Sequence, residues 1–415
     1  MANSIVGCAP LAINGGSKSK TTPYGTGTRF GAPELTQLSE ALQQNTLFYF
    51  KGNKVKEFTR KFAEMHGSKY CVATSSGTAS IHVALVALGI TVGDEVIVSP
   101  ITDMGSVIGI LYQNAIPIFA DVDPLNYSMK PEAVEKAITP RTKAIIAVHL
   151  MGSPCDMDAL IKISKKYNIP IIEDCAQAFG AKYRNTNLGR LGTLGCFSTN
   201  DFKHISTGDG GLIVTQDENL ANRAFAAADK NYHRSGINQG QSPEFLAPNY
   251  RMTELQGAVG IAQLDRLDSI CTKRHNLGSH LNLLLQDIPG ILPFKVPDNG
   301  YETYFHFSGR FDLKSFNVDR KTLLDAIKAE GVPIGSYIPE PLYLYKLFKN
   351  RNIYPNNSYP LEGTGKSYSY EKGLCPIAEE VLESIFIISF NEFYTNQDIE
   401  ETANAIKKVT KAYIK

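Results

Sequence analysis

Between residues 70 and 215 short apolar runs alternate with longer stretches of helical periodicity, and this alternation leaves few folds open. Strands are expected at Tyr70–Thr74, Glu95–Ser99, Pro117–Ala120, Ala144–His149, Pro170–Asp174 and Gly211–Thr215. Helices are expected between them, at Ala79–Leu88, Gly105–Gln113, Pro131–Ile138, Met157–Tyr167 and Asp217–Asp229. Runs apolar at every position are buried on both faces. The alternation therefore predicts an α/β fold with a mostly parallel central sheet flanked by helices.

Three segments frame this unit. Residues 1–29, rich in Gly, Ser, Thr and Lys, read as an extended arm. Residues 33–66 have helical spacing, with Val55, Phe58, Phe62 and Met65 on one face. Residues 231–250, which include Gly236, Gly240, Pro243 and Pro248, read as a long functional or interface loop. A helix is then expected from Thr253 to about Leu267, running on past Asn276. From about residue 290 the pattern turns to short β-rich segments such as Tyr304–Phe311 and helices such as Arg320–Glu330, which suits a smaller α+β domain. The division expected is an arm over 1–29, a large domain over 30–270 and a small C-terminal domain over 271–415.

Composition excludes several partners. The 42 Lys and Arg nearly cancel the 41 Asp and Glu, so no general nucleic-acid or membrane surface is expected. No apolar run is long enough to span a bilayer. The first residues have neither a basic flank nor a long apolar core, so no signal peptide is read. The seven cysteines form no Cys-x-x-Cys pair, which argues against a zinc site or a disulfide framework. Cys71, Cys175 and Cys196 have apolar neighbours and suit reduced, buried thiols in a cytoplasmic protein.

The chemistry concentrates in two runs. Ile171-Ile172-Glu173-Asp174-Cys175-Ala176-Gln177 ends an apolar strand in acids. Gly195-Cys196-Phe197-Ser198-Thr199-Asn200-Asp201-Phe202-Lys203-His204 places a lysine five residues after a serine, ahead of Gly208, Gly210 and Gly211. A carboxylate at a strand end, with a lysine near apolar groups, suggests a pyridoxal 5'-phosphate enzyme. Lys203 would hold the aldehyde as a Schiff base, and Asp174 would keep the pyridine nitrogen protonated. In open α/β sheets, ligands gather beyond the carboxyl ends of the strands, which is where Asp174 falls. Gln177 could bond the 3-hydroxyl; the same residue could equally face solvent on a helix. Ser76-Gly77-Thr78 joins a strand to a helix and could bind phosphate at the helix N-terminus, with Ser198 as a second donor. Short Ser/Gly turns also cap helices with no ligand present.

Six runs, taken in order, resemble the DegT-type sugar aminotransferase family of fold type I enzymes. They are SSGTASIHVAL (75–85), GDEVIVSP (93–100), IIEDCAQAFGA (171–181), GCFSTNDFKHISTGDGGLIVT (195–215), NYRMTELQGAVGIAQL (249–264) and CPIAEEVLESIFIISFNEF (375–393). The resemblance covers roughly residues 30–410. It implies that Lys203 is the Schiff-base lysine, Asp174 the partner of the ring nitrogen and Gln177 the neighbour of the 3-hydroxyl. It implies phosphate contacts from Gly77, Thr78 and Ser198, with Asn249 supplied by the neighbouring subunit of a homodimer with shared active sites.

The resemblance further implies a ping-pong transfer from L-glutamate or L-glutamine to a keto-sugar, nucleotide-linked or not, or to a keto-cyclitol, as in amino sugar biosynthesis. A branch of the family has histidine in place of the lysine and dehydrates its substrate. Lys203 points to transfer, with a dehydratase or epimerase as the alternative and an idle regulatory protein below it. Members usually stack an aromatic residue on the cofactor ring from the segment aligned with Ser99–Gly105, which here has none; Asp103 or Met104 takes the place. Further substrate candidates are Arg251, Tyr337 and His306, with His233 and Arg234 beside them.

Overall fold

The computed structural model describes residues 10–234 and 239–415. Two helices come first, α1 (Ala32–Gln43) and α2 (Lys54–His66). The sequence periodicity ran through both, but the chain breaks between them. Asn45 takes a left-handed conformation (φ 55°), and the buried Glu254 carboxylate accepts from Lys54 N (2.8 Å) and Val55 N (3.1 Å) to start α2 from across the fold. Val55, Phe58 and Phe62 are buried as expected, but Met65 is exposed.

The alternating region gives β1 (Tyr70–Thr74), α3 (Gly77–Leu88), β2 (Glu95–Val98), α4 (Gly105–Tyr112), β3 (Ile116–Phe119), α5 (Pro131–Ala137), β4 (Thr142–Val148), α6 (Met157–Tyr167) and β5 (Ile171–Asp174). A hairpin of β6 (Lys182–Tyr183) and β7 (Thr186–Asn187) precedes β8 (Leu194–Ser198), β9 (Gly211–Thr215) and α7 (Glu218–Ala228). Seven of these strands form one sheet in the order β1-β9-β8-β5-β4-β2-β3. Neighbours from β8 to β3 are parallel, and β9 runs antiparallel between β1 and β8. Strand pleating divides the side chains between two cores. Val96, Val98, Ala144, Ile146 and Ile172 enter one; Ile97, Ile145, Ala147 and Ile171 enter the other. Cys175 and Cys196 are buried, whereas Cys71 is only half-buried.

The long helix expected after Thr253 is two helices, α8 (Glu254–Leu264) and α9 (Leu267–Leu285). Arg266 stands at the break, where its guanidinium reaches Glu34 and the carbonyl of Arg29. The expected domain division after residue 270 falls inside α9. Leu267, Ile270 and Cys271 join a core of the large sheet, and Leu277, Leu281 and Leu285 join the third core.

That third core lies against a four-stranded sheet, β10-β12-β14-β13, built from β10 (Ile291–Pro293), β12 (His306–Phe311), β13 (Ile334–Gly335) and β14 (Ile385–Ser389). The short β11 (Gly300–Tyr301) pairs instead with β6. The remaining helices are α10 (Arg320–Ala329), α11 (Lys346–Lys349), α12 (Pro376–Ser384) and α13 (Asn396–Tyr413).

Strand β12 starts two residues later than expected, because Tyr304 is left-handed (φ 47°) and Thr303 N and Phe305 N donate to Gly152 and Met151 carbonyls. The expected arm, described from residue 10, is tied to the small domain. Ser19 N donates to Glu330, and the Lys20 ammonium is buried on Asp398 (2.8 Å) and Glu401 (2.9 Å) of α13.

Candidate active site

A cavity of about 610 Å³ opens where the carboxyl ends of β4, β5 and β8 meet the small sheet. Strands supply its floor, the N-termini of α3 and α4 one wall, and Phe305, His306, Tyr337 and Ser389 the opposite wall. Lys203, Asp174, Gln177, Gly77, Thr78, Ser198 and Asp103 all line it.

Lys203 sits in the irregular turn after β8. Arg29 holds that turn, donating to the carbonyls of Asp201, Lys203 and, at 3.2 Å, His204. The ammonium lies 4.3 Å above the centre of the Phe305 ring. Burial drives its pKa below the ordinary lysine value, with the Asp174 and Asp103 charges opposing. The neutral amine is therefore more accessible than on a surface lysine.

Asp174 ends β5 and is 5% exposed. Its Oδ2 accepts from Ser106 Oγ at 2.6 Å, and its Oδ1 from Ala176 N at 3.1 Å. Burial raises its pKa, against the pull of Ser106, Ala176 N and the Lys203 charge. Ser106 is itself bonded to Thr102 Oγ1 at 2.8 Å. Gln177 is fixed at both ends of its amide. Oε1 accepts from Met151 N (2.9 Å), so Nε2 donates to the Tyr337 hydroxyl (3.0 Å). Burial pushes the Tyr337 phenol up, so it stays protonated.

At the start of α3, Ser76 Oγ accepts from Ala79 N at 3.0 Å, which leaves the N–H groups of Gly77 and Thr78 for a ligand. A side chain at Gly77 would stand 2.6 Å from Ser198 Cβ, so only glycine lets α3 and the end of β8 approach this closely.

Of the two residues expected in place of the missing aromatic, Asp103 reaches the cavity and Met104 does not. Asp103 Oδ1 accepts from Gly105 N (2.7 Å) at the start of α4, while Met104 turns against the apolar core. Asn249 lies outside this cavity, bridged to Asp229 at the base of the long loop. Arg251 is engaged elsewhere: its guanidinium pairs with Asp229 (2.7 Å) and covers the Phe48 ring. Arg234 makes the same two contacts. His233 likewise lies off the cavity, and Gly236 of that loop is outside the described residues. His306 does face it. Burial, then the Lys203 and Arg274 charges, lowers its pKa to about 4, and its Nδ1 has no partner among the described residues.

Ser106, His149 and Phe305 are cavity residues that the sequence reading did not single out. His149 ends the apolar run of β4 as Asp174 ends that of β5, and that parallel was a usable signal. Its Nδ1 accepts from Cys155 N (3.1 Å), so it is the neutral tautomer whose Nε2–H donates to Glu173 (3.0 Å). Glu173 also accepts from Gly189, Leu191 and Gly192 N–H groups. His149, Glu173 and Cys175 have ligand atoms within 4.8 Å of one another, but these bonds already occupy the histidine and the carboxylate. The trio is a buried hydrogen-bonded support for the cavity floor.

The donor set fits pyridoxal phosphate on three counts: a buried amine of lowered pKa, a buried carboxylate at a strand end, and a glycine cradle at a helix N-terminus. Comparison with known proteins agrees. A model of the DegT/DnrJ/EryC1/StrS aminotransferase family matches residues 29–407. A putative L-glutamine:3-amino-2,3-dideoxy-scyllo-inosose aminotransferase from Streptoalloteichus tenebrarius is 35% identical over 344 residues, 81% of this chain and 82% of its own. GDP-perosamine synthase of Escherichia coli O157:H7 is 40% identical over 259 residues, 61% of this chain and 70% of its own. The aminotransferase structure from Psychrobacter cryohalolentis superposes with a TM-score of 0.81 at 30% identity, covering 92% of this chain and 98% of that one. Bacillus subtilis ntda, solved with bound cofactor pmp, shares the fold at a TM-score of 0.78 and 21% identity, covering 95% of this chain and 87% of its own.

Proposed function

Because the chain belongs to the DegT/DnrJ/EryC1/StrS aminotransferase family, whose members depend on pyridoxal phosphate, we propose that it moves an amino group from L-glutamine or L-glutamate to a keto-sugar or keto-cyclitol. The relatives that act on inososes and the one that makes GDP-perosamine support this acceptor class. The observation that carries the reading is the meeting of Lys203 and Asp174 in one cavity beside the α3 N-terminus.

The residue roles follow from that arrangement. Asp174 would hold the pyridine nitrogen and Gln177 the 3-hydroxyl. The Gly77 and Thr78 N–H groups and the Ser198 hydroxyl would hold the phosphate. When bound, the cofactor supplies an aldehyde that captures the amine and a ring that accepts an electron pair. Lys203 Nζ, as a free amine, would take the proton from the donor's α-carbon and return it to the carbon that had been the cofactor's aldehyde. The same atom reverses the transfer for the acceptor, which gives ping-pong kinetics. Asp174, gripped by Ser106, would as a carboxylate keep the ring nitrogen protonated. Phe305 and Tyr337 wall the cavity on the small-sheet side.

Asn249, placed outside its own chain's cavity, is assigned to the phosphate of a second subunit, so the working unit is a homodimer with shared sites. No helix among the described residues is long and apolar enough to cross a membrane. The free, buried thiols fit the reducing cytoplasm.

The test uses nitrogen-labelled glutamine or glutamate with a panel of nucleotide-linked and free keto rings. Mass spectrometry should find the label in an aminated ring. A ring that loses oxygen without gaining nitrogen would identify a dehydratase and overturn the reading.

A further inference from the structure

Asp103 stands in the cavity wall with one oxygen committed and one free. Oδ1 accepts from Gly105 N at 2.7 Å, which fixes the carboxylate's direction, while Oδ2 takes no hydrogen bond or ion pair among the described residues. It shares the lining with Lys203 and Tyr337, and its charge acts on both.

The rest of the wall makes this charge count. Among the described residues, the lining holds one amine, Lys203, and no arginine, against three carboxylates, Asp103, Asp174 and Asp209. Lys203 and Asp174 have roles at the cofactor. Asp209 is bonded to Asn200 Nδ2 at 3.0 Å. Its second oxygen, like that of Asp103, has no partner among the described residues, but Asp103 is the one whose charge acts on Lys203 and Tyr337. Opposite it, the Tyr337 hydroxyl accepts from Gln177 and keeps its own proton to give, and the neutral His306 imidazole has an unpartnered Nδ1. A ligand filling this space meets one fixed anion, one donor and one neutral ring nitrogen. That set suits a body bearing several O–H or N–H groups, and an anionic substituent facing Asp103 would be repelled at short range.

We propose that Asp103 is a specificity residue that reads the acceptor ring. The acceptor is an uncharged or aminated polyol ring that presents an O–H or ammonium N–H to Oδ2, and a ring with a carboxylate at that place is refused. This rests on the aminotransfer reading above and narrows its substrate class.

The experiment takes the keto ring that the wild-type holoenzyme aminates best and compares its hydroxyl, amino and carboxylate forms at one ring carbon. In D103N the KM for the amino form should rise about tenfold, the size of one lost charge-assisted hydrogen bond, and that for the carboxylate form should fall. The change in discrimination should fall on KM more than on kcat, because Asp103 touches the ring and acts on Lys203 only through its charge. D103S, which removes the charge and the bulk, should give the same reversal. The dissociation constant of the aminated product, measured by calorimetry on the loaded protein, should weaken in parallel. Unchanged discrimination among the three forms in both variants would overturn the inference and leave aminotransfer standing. Amination of no ring by the wild type would remove both.

Discussion

Ser106→Ala should separate the part Asp174 plays from that of the cavity as a whole. The Ser106 hydroxyl gives Asp174 Oδ2 its 2.6 Å hydrogen bond, and both residues are buried. A hydrogen bond to a buried carboxylate is worth about 1.5–3 kcal/mol, and one pKa unit corresponds to about 1.4 kcal/mol. Losing the bond should therefore raise the Asp174 pKa further above its already raised position.

The sign follows from the direction of the shift. The ionised carboxylate is the form that holds the ring nitrogen, so activity on the acid side should be lost at a higher pH than in the wild type. The unloaded variant should also be less stable at neutral pH. That deficit should shrink as pH falls and Asp174 takes up a proton, because the folded pKa then lies further above the unfolded one. The assays are the pH dependence of kcat for each half-reaction, and cofactor affinity by absorbance titration. An acid limb and an affinity that match the wild type would refute the view that Ser106 keeps Asp174 charged.

Other substitutions test the remaining elements. Lys203→Ala should abolish turnover, and borohydride should no longer fix label from the cofactor at position 203; retained transfer would remove the lysine from the mechanism. Gly77→Ala should weaken cofactor affinity and cost about 1–3 kcal/mol of stability, because its methyl would press on Ser198 at 2.6 Å; denaturant titration with and without cofactor measures both. Lys20→Met leaves Asp398, 2% exposed, without its cation, and should destabilise the fold by about 3–5 kcal/mol in thermal or denaturant unfolding. Burial works against the Asp398 carboxylate, but the Lys20 bond and the Thr395 and Gly25 N–H groups outweigh it and lower its pKa. Its contribution is thus present above the unfolded aspartate pKa and lost as pH falls through the folded one, so the difference between variant and wild type should narrow in acid.

Much of the fold was legible in the sequence because strand burial is a local property. A strand covered on both faces must be apolar throughout, and β2, β4, β5 and β9 announced themselves in that way. Asp174 drew attention because it ends such a run, and Gly77, Gln177 and Lys203 because they follow shortly after a strand. What the sequence could not give was direction and partnership. It did not reveal that β9 runs antiparallel between β1 and β8, since apolar content does not encode strand polarity. It left Asp103 and Met104 as equals, and the Gly105 N–H that anchors one carboxylate oxygen turned the first to the cavity and the second to the core. It gave Arg251 no partner, whereas the fold brings Asp229 to it from 22 positions away. Local chemistry fixed which residues could act. Long-range hydrogen bonds and ion pairs, which depend on where distant backbone groups come to rest, decided which of them face one another.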